Sequence, residues 1–455
     1  MNEGYNLEVI MINSELRESL KNNLGIDISS VLLPKKHIDM RKWAVVACDQ
    51  YTSEPEYWKE TEDFVGDNPS TLRLIYPEAY LETENEEQKS KRISDINNCM
   101  NAYLENNIFQ EYRDTIVLVE RTFRSGAKRH GIVLAVDLEK YDYSKGSQSL
   151  IRATEGTIVD RLPPRIRIRE NASLELPHIM LLIDDRERTV IEPLVKRADS
   201  FEQLYSFELM KDSGYIRGWK ITDEKDIENM AGALMKLADP DNFRKRYNVD
   251  EGYNVLLFAV GDGNHSLATA KACWENLRKT LGPGEMETHP ARFALVEIVN
   301  LHDEGLVFEP IHRIMFNVDT KDLLNEFVAY YRERGAFVSA DKTGTKGHII
   351  KFVSSSESGW LVVENPDANL DVGTLQNFLD YYMKKNPETG IDYVHGENIV
   401  ERLGRKPGNM GFFLSPMDKN ELFRTVILDG ALPRKTFSMG EASEKRFYVE
   451  ARKIR

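Results

Sequence analysis

The stretch from Tyr253 to Leu281 constrains the fold most, because it joins an apolar run to an amphipathic one through a glycine turn. Tyr253 to Val260 has the length and apolar content expected of a buried strand. Gly261-Asp262-Gly263-Asn264-His265-Ser266 breaks that run. Leu267, Ala270, Trp274, Leu277 and Leu281 then recur at three- and four-residue spacing, one apolar face of a helix. Asn264 or Ser266 is placed to cap it. Two glycines let the backbone approach a ligand closely, and a helix start turns N–H groups and partial positive charge toward an anion. His265 stands where a side chain would meet such a ligand. The pattern reads as a phosphate cradle without the lysine of a P-loop. The plain alternative is a strand-to-helix connection. Asp262 and His265 favour a site, since a turn needs no titratable side chains.

Composition bounds what surrounds this segment. A chain of 455 residues has room for roughly two to four domains. Hydrophobic and charged contents of 41% and 29% predict a soluble globular protein. A net charge of −14 argues against a nucleic-acid binder and requires any phosphate site to gather its positive charge locally. No apolar run approaches a membrane span, and Met1 to Ile12 lacks the basic-then-apolar pattern of a secretory leader. Cys48, Cys99 and Cys273 are scattered without metal spacing, which fits reduced thiols and predicts a cytoplasmic protein. The nine histidines form no His-Glu-x-x-His pattern, so a dedicated zinc site is not expected. There is no Gly-x-Ser-x-Gly elbow and no legible Cys-His pairing.

The expected fold class is α+β with a mixed sheet. Residues 1–28 read as a peripheral extension, 29–143 as an N-terminal α+β domain, 144–320 as the core and 321–455 as a C-terminal α+β subdomain that folds back on it. Thr115–Phe123 and Gly131–Asp137 predict a hairpin, as do His348–Val353 and Trp360–Glu364. Helices are expected over Thr52–Phe64 with Ser53 as cap, Asn85–Asn107, Ile227–Leu237, Leu323–Arg334 and Val372–Lys384. Further strands are expected at Leu176–Ile183, Phe293–Val299, Leu306–Phe308, Gly411–Leu414 and Thr425–Leu428.

Several polar clusters are candidates for chemistry. In the segment from Arg161 to Arg169, an extended backbone would put Arg165, Arg167 and Arg169 on one face, an anion site or a charged edge strand. Thr154-Glu155-Gly156-Thr157 sets a carboxylate beside two hydroxyls, as a general base requires. Pro310-Ile311-His312-Arg313 ends in a pair that is either structural or placed to stabilise transferred charge. Leu432-Pro433-Arg434-Lys435-Thr436 is basic, with Lys445 and Arg446 close behind.

Taken in order, these motifs resemble a family. Asn68-Pro69-Ser70, the hairpin with Arg121 and Gly131, the Glu155 tetrad with Arg161, the Gly261–Ser266 loop, Pro310–Arg313 and Leu432–Thr436 are similar to the bacterial DUF1015 family. That family in turn resembles the ParB/sulfiredoxin-like superfamily, which includes kinases of free L-serine. The resemblance implies a ParB/sulfiredoxin-like core with additional α+β subdomains. In those kinases a glutamate acts as base on the serine hydroxyl, and an Asp-Gly-His-His-Arg type loop holds the donor phosphates. Glu155 matches the glutamate, and Asp262, Gly263 and His265 match the loop. Asn264 replaces its first histidine and Ser266 its arginine, which points to a smaller donor such as pyrophosphate with other arginines supplying charge.

The implied activity is phosphoryl transfer from pyrophosphate, ADP or ATP to free L-serine, an EC 2.7.1-type kinase reaction giving O-phosphoserine. Glu155, His265 and Asp262 are the implied catalytic residues. Arg161, Arg165, Gly261, Gly263, Asn264, Ser266, His312, Arg313 and Lys435 would bind phosphate or substrate, and Asp262 would hold Mg²⁺. The implied partners are these small molecules, with neither nucleic acid nor membrane. The rivals are a non-catalytic nucleotide or phosphometabolite sensor and a phosphohydrolase.

Overall fold

The computed structural model describes residues 13–81, 83–156, 162–339 and 347–455. They group into two compact units. The first takes the chain up to Ala153, 157–306 and 441–455; the second takes 154–156 and 307–440. This grouping does not follow the boundaries expected at 143 and 320, because one large sheet draws strands from both sides of residue 143.

That sheet organises the first unit and has ten strands. Its order is Glu202–Glu208, Tyr215–Ile221, Ile116–Thr122, Lys128–Asp137, Phe293–Asn300, Met180–Ile183, Phe258–Asp262, Ile151–Ala153 and Tyr141–Asp142, with Ile26–Asp27 on the end of Lys128–Asp137. Phe293–Asn300 runs parallel to Met180–Ile183, and Phe258–Asp262 runs parallel to Ile151–Ala153. The hairpin strands pair antiparallel, so the sheet is mixed and the fold is α+β. Central strands are apolar on both faces because both are covered. Ile116, Leu118, Ile132 and Leu134 pack into one core with Ile227, Leu234, Leu267 and Trp274. Val117, Val119, Val133 and Leu295 pack into another with Trp43, Trp58, Met100 and Phe447. The C-terminal segment belongs to this second core: Tyr448 N donates to Val45 O at 2.8 Å, and Arg452–Lys453 pairs with Leu174–Glu175.

The second unit has a six-stranded antiparallel sheet in the order Phe337–Ser339, Ser358–Glu364, Gly347–Ser354, Asn409–Phe413, His312–Phe316, Gly390–Val394. Thr320–Glu333 and Asp371–Lys385 close its main core through Leu323, Phe327, Leu375 and Phe378. Glu397–Gly404 puts Val400 against Ile314 and Val353 in a smaller cluster.

Several local expectations are corrected. Leu162–Arg169 is a helix, not extended chain. Pro163 and Pro164 in its first turn carry the φ a helix start wants, and its arginines splay apart to Glu78, Glu86 and Glu175. Thr425–Leu428 lies inside the helix Lys419–Asp429, whose Leu422, Phe423, Val426 and Ile427 share one buried face. The strand expected over 253–260 is Phe258–Asp262, and that expected over 176–183 is Met180–Ile183. Ser53 caps nothing: Pro55–Val65 starts at Pro55 with no side-chain cap. The leading segment is not wholly peripheral, since Leu20 and Leu24 are fully buried and Ile26–Asp27 joins the sheet. Among the described residues no helix is long and apolar enough to cross a membrane.

Candidate functional site

The strand Phe258–Asp262 ends between Met180–Ile183 and Ile151–Ala153, which fixes where the glycine loop leaves the sheet. Gly263 takes φ +81, the left-handed conformation, and is the N-cap of the helix Asn264–Leu277. No side chain caps that helix, which corrects the role expected of Asn264 and Ser266. A glycine is required here for two reasons. Side chains disfavour this φ, and a Cβ at 263 would stand 3.0 Å from Ile179 Cα. The turn is therefore pressed against backbone.

Charged and hydrogen-bonding groups surround the turn. Asp262 Oδ1 accepts Gly263 N–H at 3.0 Å, and its Oδ2 lies 3.2 Å from Lys445 Nζ. Ser266 Oγ lies 2.8 Å from His178 Nε2. The other ring nitrogen, Nδ1, is 2.9 Å from the Tyr448 hydroxyl, which accepts Cys48 N–H at 3.2 Å. Asp49 Oδ2 is 3.9 Å from His178 Nε2. Burial pushes the Asp49 carboxyl up, but His178, the Gln50 amide and Lys445 outweigh it and hold it below its usual range. Burial, reinforced by Cys48 and Asp49, keeps the Tyr448 phenol well above ordinary tyrosine. Burial likewise raises the Cys48 thiol, so it stays protonated and unreactive.

The result is a helix N-terminus flanked by a lysine, a histidine on a hydrogen-bonded chain, and two carboxylates. Such a set can hold an anion and move a proton. Asp49, His178 and Tyr448 were not expected from sequence. Their only signal was a titratable or hydroxylated residue beside an apolar run. His178 falls in Leu176-Pro177-His178-Ile179, which reads as strand.

The remaining candidates divide as follows. Arg161 and Thr157 lie outside the described residues. Arg165 is in the first unit, on Glu78 at 2.5 Å. Glu155, His312, Arg313 and Lys435 belong to the second unit. There Glu155 bridges to Leu432, whose N–H donates to Thr154 O at 2.6 Å. Arg313 is fully buried, and its guanidinium is committed to the carbonyls of Ile311, Lys435 and Arg434 and to Gln376 Oε1. Burial lowers Arg313 to about 10, against the pull of Tyr393 and Glu155. His312 is buried and accepts Leu414 N–H on Nδ1 at 3.1 Å; burial lowers its pKa. Lys435 is exposed at a left-handed backbone position. Among the described residues no group of three or more His, Cys, Asp and Glu side chains is placed to hold a metal.

A family model described as "Protein of unknown function (DUF1015)" matches residues 32–382. The chain belongs to this family. No curated protein matches it. Similar solved structures include a conserved hypothetical protein from Pyrococcus furiosus, 11% identical, covering 71% of this chain and 94% of that one at a TM-score of 0.35. A free serine kinase in complex with AMP is 11% identical and covers 70% and 90% at 0.37. A variant of free serine kinase in complex with ADP is 10% identical and covers 70% and 91% at 0.37. At these scores none of them decides an activity.

Proposed function

We propose that the protein is a phosphotransferase that forms O-phosphoserine from free L-serine, with pyrophosphate, ADP or ATP as donor. The observation that carries this reading is the turn at Gly263, left-handed and close-packed, which opens an uncapped helix of 14 residues beside Lys445 and His178. Backbone amides at such a helix start, joined by nearby cations, suit a phosphoryl group.

In the proposed step the bond from the transferred phosphorus to its leaving oxygen breaks, and that oxygen keeps the electron pair as phosphate or nucleotide. A bond from the serine Oγ to phosphorus forms, and the hydroxyl proton passes to a base. The motif resemblance assigns the base to Glu155. In the loop, His265 would touch donor phosphate and Lys445 would balance charge beside Asp262. Mg²⁺ commonly takes one or two carboxylates and completes its octahedron with phosphate oxygens and water. Asp262 offers that single carboxylate, and Mg²⁺ there would neutralise charge on the phosphate oxygens. The test is incubation of pure protein with L-serine, Mg²⁺ and each donor separately, with O-phosphoserine read by mass spectrometry. Its absence with every donor would remove the proposal.

A further inference from the structure

The strands Ile116–Thr122 and Lys128–Asp137 turn Val117, Val119 and Val133 into the second core of the first unit, and the same face ends in two arginines. Arg121 and Arg129 stand directly opposite each other in the antiparallel pair, so their side chains are neighbours. Both are buried. Arg121 donates to carbonyls, Ser443 O at 3.0 Å and Thr122 O at 3.5 Å, and lies over the Phe123 and Phe447 rings. Arg129 makes no side-chain hydrogen bond among the described residues, and the carboxylate nearest it is Glu297, with Oε1 4.0 Å from Nε. Arg121 Nε, Arg129 Nε and Glu297 Oε1 are enclosed without a partner. The terminal nitrogens of Arg129 are not enclosed, so the guanidinium fork opens through the 4% of that side chain still exposed.

The charges of this cluster do not balance. Glu297 and Glu450 are its buried carboxylates, and Arg446 already takes both, donating to Glu297 Oε2 and, at 2.6 Å, to Glu450 Oε2. Three guanidiniums therefore share two carboxylates. Glu444, the other acid whose charge reaches Arg121, is partly exposed and accepts Glu441 N–H at 3.1 Å. Burial, with Arg129 opposite, pushes the Arg121 pKa down to about 9 against the pull of Glu297 and Glu444. Like charges directly opposite on a sheet repel, and a buried charge without a partner is costly. One excess positive charge matches one negative charge; a dianionic phosphate would leave a net negative charge beside Glu297. Guanidinium forks also fit the planar carboxylate. We propose that Arg121 and Arg129 form a binding site for the carboxylate of a small molecule. Arg129 holds it at the open end of its fork, and Arg121 supplies positive charge behind. The site uses neither the glycine loop nor Lys445. Two sources share this chemistry, the acceptor L-serine and a separate carboxylate effector.

Urea unfolding of the full chain and of its Arg129→Met variant across a formate series tests the proposal, because general salt effects act on both alike. Above the formate dissociation constant, each tenfold rise should multiply the folded-to-unfolded ratio of the unmodified chain about tenfold relative to the variant, as one bound anion requires. Sulfate should show no such difference. L-serine should reproduce the formate result if the acceptor's carboxylate is the occupant, whereas a response to formate alone marks a separate effector. Without carboxylate, Arg129→Met should be at least as stable as the unmodified chain, since it removes an unpaired buried charge. Arg129→Gln repeats the comparison should the methionine variant not fold. Equal formate responses in the two proteins overturn the proposal. So does an unmodified chain whose stability does not rise with formate, or a sulfate difference as large as that of formate. A clear loss of stability in Arg129→Met without carboxylate also overturns it, by showing that Glu297 already pairs the arginine.

Discussion

Replacing Gly263 by alanine separates a turn that merely tolerates glycine from one that requires it. Two penalties combine. Left-handed backbone costs a non-glycine residue about 1–2 kcal/mol, of which roughly 0.4–1 kcal/mol returns because alanine restricts the unfolded chain. The new Cβ would also stand 3.0 Å from Ile179 Cα and 3.1 Å from its Cγ1. A backbone atom cannot rotate away, and such overpacking costs about 1–3 kcal/mol. Gly126→Ala is the control, because Gly126 has φ +86 but nothing within 4 Å of the added carbon. Urea unfolding of both variants should therefore differ by about 1–3 kcal/mol, the clash alone, with Gly263→Ala the less stable. If the chain instead relieves the clash by moving the loop, pyrophosphate binding should weaken while the unfolding difference shrinks. A difference under about 0.5 kcal/mol together with unchanged pyrophosphate binding refutes the reasoning, since one of the two must respond.

Three other outcomes follow from named contacts. His130 lies 3.4 Å from Asp303 and 3.3 Å from Glu120; burial lowers its pKa, but these carboxylates outweigh it and raise it above the ordinary histidine value. Its contribution to stability is full below about pH 6.5 and is lost as pH rises through the raised value, so the urea midpoint of His130→Gln should lack that part of the decline; identical profiles would contradict it. Arg313→Met leaves buried carbonyls of Ile311, Arg434 and Lys435 without their donor and should cost about 3 kcal/mol or more, read by denaturation; a loss under about 1 kcal/mol would return Arg313 to the list of ligand-binding candidates. Glu155→Gln should slow O-phosphoserine formation by about a hundred- to ten-thousand-fold with donor binding kept, whereas His265→Ala should weaken donor binding as well. Unchanged turnover in Glu155→Gln removes it as the base.

Much of the fold was legible where periodicity was strong. The helices Glu86–Glu105 and Asp371–Lys385 follow from helical spacing of their apolar residues, and both hairpins from paired apolar runs about a turn. Misreadings came from short apolar or charged runs, where period 2 and period 3.6 look alike. Val426-Ile427-Leu428 is β-branched enough to suggest a strand, yet belongs to a helix started by Asp418. Arg165, Arg167 and Arg169 alternate like a strand, but the prolines before them start a helix. The Gly261–Ser266 turn was readable because glycine at a strand end has few uses. His178, Asp49 and Tyr448 were not, because they meet only through sheet pairing and the return of the C-terminal segment, contacts hundreds of residues apart in sequence. Arg313 shows the converse error: a buried arginine bonded to carbonyls carries the same letters as one that grips phosphate.

Phosphorus NMR of the protein with L-serine, Mg²⁺ and pyrophosphate tests the central claim most directly, because it follows donor, product and by-product in one sample. The account predicts that each pyrophosphate lost gives one phosphomonoester resonance of O-phosphoserine and one orthophosphate, with no loss when serine is omitted; ADP or ATP in place of pyrophosphate should give the same one-to-one balance if the donor is a nucleotide. Orthophosphate released without serine would make the protein a phosphohydrolase, and donor resonances that shift on binding but never diminish with any donor would make it a sensor. Either result contradicts the account.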